Sequence, residues 1–307
     1  MSVVSDFKSI LDAVRRGGQA AFTFEAEGDT YTRGFYPGER LILLGAGNIA
    51  QPLAEFGAAL GFSVAVADGR PLFANAQRFP MAEEVICDTF PNAIKKLNIT
   101  SNDYVCVITR GHVYDADCLR EILPGTMPKY LGMIGSKRRV IELLNMLEAE
   151  GYSRERLDSI HTPIGLAIGA LTTPEIAVSI AAELVQVRRE GTDRHGHGAA
   201  LTMQNTDFKF LEAVAEDPAP KALLVVYDTS GSTPVKAGAI MAVDENLRTY
   251  GTIGGGCGEG EAINRGFHII GTGMSETMTI DMSNDIAAEE GMVCGGEMKV
   301  AVIDVTA

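Results

Sequence analysis

Three consecutive glycines, a thiol and two carboxylates stand together in "GTIGGGCGEGEA", Gly251 to Ala262. Glycine packs nothing and costs backbone entropy on folding, so such a run marks backbone at positive φ or in close approach to another group. Cys257, at a glycine turn that opens a helix, gains thiolate character from the helix N-terminus, which suits a soft ligand or a sulfur relay. Glu259 could accept a proton from whatever binds there. "GMVCGGEM" puts Cys294 in a second glycine turn, so both thiols are candidates for one pocket. An equally weighted reading makes both cysteines small, buried and inert, in turns that need glycine for geometry alone.

A second constellation lies in "LILLGAGNIAQPLAEFGAALGFSVAVADGR". An apolar strand meets a tight turn with Gly45 and Gly47, Asn48 follows, and Ala50 holds the third small-residue position. A helix and a second strand lead to Asp68, with Arg70 just beyond. This is the spacing of a dinucleotide-binding fingerprint: glycines admit a pyrophosphate to the helix N-terminus, and the acid holds a ribose hydroxyl. The competing reading is a turn that packs helix on strand with no nucleotide. Arg110, Gly111 and His112 in "ITRGHVYD", and Gly135, Ser136 and Lys137 in "GMIGSKRR", follow further apolar runs. They belong at the carboxyl edge of the sheet, where open α/β folds bind ligands. Ser232, Thr233 and Lys236 of "GSTPVKAG" read as a plain turn before a phosphate clasp.

The elements that position these residues are legible as apolar runs. After an opening helix and a hairpin-like "AFTFEAEGDTYTRGFYPG", short apolar runs alternate with amphipathic stretches, the mark of parallel strands with crossover helices. "PEIAVSIAAELVQVRRE" is one helix, and "GTDRHGHGAALTMQN" is a polar linker whose His195 and His197 lack a recognisable third metal ligand. A second unit follows, with a helix at Asp207 and strands in "KALLVVYDT", "GAIMAVDE", "ETMTIDM" and "EMKVAVIDV". The fold class is therefore α/β: a Rossmann-like parallel-sheet domain over 1–190, a linker over 191–206, and a smaller mixed-sheet α/β domain over 207–307.

With 307 residues, 46% of them hydrophobic, the chain can bury two cores; its net charge of -14 argues against nucleic acid or an anionic membrane surface. Five widely spaced cysteines without zinc-type spacing fit reduced thiols of a cytoplasmic, soluble protein. The most apolar stretch, Ile164 to Val187, is interrupted by Pro174 and carries Glu175 and Glu183.

Taken together, "GAGNIAQPLA", "VADGR", "RFP", "TRGHVYD", "YLGMIGSKRR", "TPIGLAIGALTTPEIAVSIAAELVQVRR", "GSTPVKAGAIM", "GTIGGGCGE" and "CGGEMKV" resemble the XdhC/CoxI family, maturation factors of xanthine and carbon monoxide dehydrogenases. The resemblance implies binding of a molybdopterin-type molybdenum cofactor, support for its sulfuration with a cysteine desulfurase, and its insertion into a molybdenum hydroxylase client. It also implies a homodimer. On this reading Gly254, Gly255 and Gly256 form an anion-binding concavity for a pterin or phosphate, with Cys257 beside it. Two departures stand out. The Rossmann-like domain comes first here, reversing the usual order, and Asn48 and Gly258 replace the family's usual histidine and leucine. A distinct branch with another molybdenum hydroxylase as client would account for the reversal. The alternative function is an NAD(P)-dependent oxidoreductase that uses the Gly45 loop, with His112 as acid or base.

Overall fold

The computed structural model describes residues 3–189, 200–201, 206–282 and 296–305. Helix α1 (Val3–Arg15) buries Phe7, Ile10, Leu11 and Val14, one stripe at helical spacing. Strands β1 (Ala20–Ala26) and β2 (Asp29–Phe35) pair antiparallel through a two-residue turn. Its central residues, Glu27 and Gly28, take φ of 53° and 89°, the positive values that match the twist of a tight hairpin.

Residues 38–190 form one compact unit around a parallel sheet. In chain order its elements are β3 (Arg40–Leu44), α2 (Ala50–Ala59), β4 (Ser63–Ala67), β5 (Glu84–Ile86), α3 (Phe90–Leu97), β6 (Tyr104–Val107), α4 (His112–Ile122), β7 (Tyr130–Met133), α5 (Lys137–Ala149), α6 (Arg154–Asp158) and α7 (Thr173–Arg189). The strand order is β5-β4-β3-β6-β7. Ile42, Leu44, Val105 and Val107 pack towards α3, α4 and α5, while Leu41, Leu43, Tyr104 and Cys106 pack towards α2 and α7. Both faces are covered, which is why these strands read as unbroken apolar runs. At the amino edge, Glu39 accepts from Tyr104 Oη at 2.8 Å and lies 2.6 Å from Arg188 Nε. Arg188 also donates to the Leu60 carbonyl and stacks on Phe62, locking α7 against α2.

The remaining elements are β8 (Ala200–Leu201), α8 (Phe208–Ala215), β9 (Lys221–Ser230), β10 (Ile240–Asp244), β11 (Thr249–Gly251), α9 (Gly256–Ile269), β12 (Ser275–Asp281) and β13 (Glu297–Asp304). Their main sheet runs β11-β10-β9-β13-β12. Every pair in it is antiparallel, so the expected mixed sheet is corrected. The physical reason is connection length: the loops from β9 to β10 and from β10 to β11 are too short for the crossover that parallel neighbours need. Helix α9 covers one face of this sheet; α1, α8 and the β1–β2 hairpin cover the other.

The N-terminal 37 residues thus belong with residues 191–307, and the expected Rossmann boundary of 1–190 moves to 38–190. Aromatic packing enforces it. The Phe7 ring lies 4.9 Å from Phe22 and 5.9 Å from Phe210. Arg33 Nε donates to the Gly238 carbonyl at 2.7 Å, and Arg15 bridges Glu212 and Glu216. Strand β8, inside the expected linker, pairs parallel with β2; His195 and His197 lie outside the described residues. Among the described residues no helix is long and apolar enough to cross a membrane.

Candidate functional site

The carboxyl ends of β3, β4, β6 and β7 release the loops that carry Gly45 to Ala50, Asp68 and Arg70, Arg110 to His112, and Gly135 to Lys137. The sequence-identified residues of this domain therefore share one sheet edge. Strand β3 leads to α2 on one face and β6 leads to α4 on the other, so the chain diverges between Gly45 and Thr109. Such a divergence opens a crevice at which α/β folds bind ligands.

The two loop glycines differ. Gly45 has φ of 117°, and a Cβ there would stand 2.4 Å from the Ile108 carbonyl oxygen, so this glycine lets two loops pack together. Gly47 has open space around it. Ala50 is buried in the α2 interface. Among the described residues, the N–H groups of Gly47, Asn48 and Ile49 have no protein acceptor, whereas Ala46 N–H donates to Asp68 Oδ2 at 3.0 Å.

Asp68 was expected to hold a ribose hydroxyl. Instead its carboxylate is filled from within: Oδ1 accepts from Arg70 N and Nε, and Oδ2 from Ala46 N and Arg70 Nη2. With two donors on each oxygen, a ribose finds no free lone pair. Burial opposes ionisation of Asp68, but the fork of Arg70 and the Ala46 N–H outweigh it and hold the carboxyl below its ordinary 3.8. Arg70 is the group offered outward, its guanidinium 3.7 Å above the Phe73 ring. Arg78 lies over the same ring at 4.9 Å. Sequence reasoning missed Phe73 and gave Arg78 no role; for Arg78 the "RFP" string was the available signal.

Arg110 folds back on its own helix, donating to Tyr114 Oη at 2.7 Å. Gly111 is extended (φ −171°), so no glycine-specific conformation is needed there. His112 opens α4 but lines a groove of about 500 Å³ between α4 and α5, together with Val113, Ala116, Arg139 and Leu143. Ser136 is the N-cap of α5 without a side-chain cap bond, and Lys137 is exposed beside it. A Cβ on Gly135 would come 3.0 Å from Val140 Cγ2.

In the other domain, Gly254, Gly255 and Gly256 all take positive φ, 122°, 74° and 79°. Gly254 is pressed onto Pro234, where a Cβ would lie 2.6 Å from Cγ, while Gly255 faces open space. Glu259 turns back to anchor this loop: its Oε2 accepts from Thr252 Oγ1 at 2.6 Å, Ile253 N at 2.8 Å and Gly255 N at 3.0 Å. Burial again opposes ionisation, and the Thr252 hydroxyl with the loop N–H groups outweighs it, lowering the carboxyl below 4.5. Gly258 lets α9 approach β12, since a Cβ would stand 2.4 Å from Ile280 Cγ2. The Thr233 hydroxyl is spent on the Val235 carbonyl, as in a plain turn. The Cys257 backbone lies in the first turn of α9; its side chain, and all of Cys294, fall outside the described residues.

Comparison with known proteins matches residues 41–184 to the XdhC Rossmann domain and residues 214–281 to the XdhC and CoxI family. The chain is 31% identical over 166 residues to a probable xanthine dehydrogenase subunit of Bacillus subtilis (strain 168), covering 54% of this chain and 48% of that protein. It is 31% identical over 155 residues to the molybdenum cofactor insertion chaperone PaoD of Escherichia coli (strain K12), covering 50% and 42%. To YqeB of the same E. coli strain it is 33% identical over 201 residues, covering 58% and 37%. The chain thus spans half or less of the length of these relatives. A crystal structure of a xanthine dehydrogenase from Bacillus halodurans aligns at 33% identity and a TM-score of 0.48, over 55% of this chain and 49% of that one. With both of the family's domains present, the Rossmann domain first, the chain belongs to the XdhC and CoxI family.

Proposed function

We propose that this protein is a maturation factor that binds a molybdopterin-type molybdenum cofactor as cargo, supports its sulfuration and delivers it to a xanthine dehydrogenase-type hydroxylase. The observation that carries this reading is the presence of both family domains in one chain, with relatives named for molybdenum cofactor insertion and xanthine dehydrogenase. The residues fit such a cargo. The N–H groups at Gly47 to Ile49, without an acceptor among the described residues, suit an anionic group at a helix N-terminus, and the open Gly255 turn lets backbone approach a flat ring system. The bound molybdenum cofactor would bring its dithiolene and metal; this chain would bind it, orient it and keep water from it. Cys257, opening α9, is the residue through which a cysteine desulfurase partner would act. A homodimer working in the cytoplasm completes the reading.

The oxidoreductase alternative loses its ribose acceptor, because Asp68 is saturated by Arg70 and Ala46. Anaerobic titration with isolated molybdenum cofactor, run in parallel with NAD and NADP, tests the proposal. Cofactor binding that is reduced by Cys257→Ser or by changes in the Gly47 loop is the expected result; tight nicotinamide binding with no cofactor binding would overturn it.

A further inference from the structure

Arg70 and Arg78 form a paired cationic site that the reading above does not use. Both guanidinium groups lie over the Phe73 ring, at 3.7 and 4.9 Å. Both are tied to the glycine loop. Arg70 is gripped by Asp68, which holds Ala46 N–H, and Arg78 Nη2 reaches Gln51 Oε1 in the first turn of α2 at 3.5 Å. Like charges on one ring repel, and in a chain of net charge -14 carboxylates are plentiful. Yet among the described residues none lies within ion-pair distance of Arg78, and its buried Nε–H has no acceptor. An arginine held half-buried without a counter-charge gains from an anion supplied from outside.

The neighbouring backbone offers the complementary donors. The N–H groups of Gly47, Asn48 and Ile49 precede α2 without an acceptor among the described residues. A Cβ added at Gly47 would meet nothing within 4 Å, so there is room for a ligand atom beside it. Arg70 keeps Nη1 free of the Asp68 fork, and its side chain is 28% exposed.

We propose that Arg70, Arg78 and the Gly47–Ile49 backbone bind a phosphate group of a small molecule, with Asp68 as the positioning residue that aims Arg70 and Phe73 as the platform that fixes both guanidinium planes. Planar forks suit phosphate oxygens bidentately, and the helix N-terminus adds favourable potential. Resting on the maturation reading, the occupant is the terminal phosphate of the molybdopterin cargo.

The test is calorimetric titration of the full chain with inorganic pyrophosphate as the site probe. Molybdopterin before and after phosphatase treatment, and NADP against NAD, identify the source of the phosphate. Arg78→Met and Arg70→Met are each expected to weaken pyrophosphate about tenfold or more, as for loss of a charge-assisted contact. Arg78→Lys should recover part of the loss, and Arg154→Met, on α6, should change nothing. Thermal melts confirm that each variant is folded. Dephosphorylation should weaken molybdopterin at least as much as Arg78→Met weakens pyrophosphate, since it removes every phosphate contact. Equal pyrophosphate affinity in wild type and Arg78→Met, or no pyrophosphate binding, overturns the site. Arginine-dependent pyrophosphate binding without molybdopterin binding keeps the site and overturns the cargo; preference for NADP over NAD then names a nucleotide phosphate instead.

Discussion

Replacing Gly45 by alanine separates scaffold from ligand site in the glycine loop. The backbone there sits at φ of 117°, and the new Cβ would stand 2.4 Å from Ile108 O and 2.8 Å from Ile108 C. Holding a side chain in so sparsely populated a region costs about 1–3 kcal/mol. Relieving the overlap means moving the Ile108–Thr109 backbone just after β6, which costs about as much again. The sum is about 2–6 kcal/mol, which lowers the melting temperature of a domain of this size by roughly 4 °C at the least and about 24 °C at the most. Gly47→Ala, with no positive φ and nothing within 4 Å, is the matched control. It should stay within about 0.5 kcal/mol of wild type. Differential scanning calorimetry of the three proteins reads this directly. A Gly45→Ala melt within about 1 °C of wild type refutes the reasoning, since it shows that the two loops can part without cost.

Asp68→Asn keeps the side chain's shape but removes the charge that pairs with Arg70, and should cost about 2 kcal/mol by urea unfolding. Because the folded-state pKa of Asp68 is lowered, its contribution is present above the ordinary 3.8 and lost as pH falls through the folded value; the wild type should lose stability faster than Asp68→Asn on that acid limb. Glu259→Gln should speed hydrogen exchange at the Ile253 and Gly255 amides about tenfold, the equivalent of ~1.4 kcal/mol of lost anchoring, while exchange in the parallel sheet stays unchanged. Glu39→Ala strands Arg188, whose side chain is 3% exposed, and should cost about 3 kcal/mol in thermal or urea unfolding.

Much of this architecture was written locally. The parallel strands announced themselves because burial on both faces demands unbroken apolar runs, and the Gly45 turn because its spacing suits few other structures. The role of Asp68 did not follow from its position. A carboxylate at that spacing reads as a ribose acceptor, and only the arginine two residues later, folded back in three dimensions, decides otherwise. The N-terminal segment was misplaced for a related reason. Adjacency in sequence pointed to the Rossmann domain, whereas Phe7 and Phe35 find an aromatic partner in Phe210, far along the chain. The antiparallel pairing of β9, β10 and β11 was within reach, since the short loops between them forbid crossovers. Glu259 showed the reverse problem: a carboxylate in a glycine loop invites a catalytic reading, and the fold spends it on holding that loop.

The proposed function is that this chain carries molybdenum cofactor to a hydroxylase. Its most direct measurement is anaerobic reconstitution of a cofactor-free xanthine dehydrogenase-type enzyme, with the cofactor supplied either free or preloaded on this protein. Faster and fuller recovery of hydroxylase activity from the preloaded form is the expected result, with loss of that advantage in Arg78→Met. Equal recovery from free and preloaded cofactor, with no retention of cofactor by this protein on gel filtration, would contradict it.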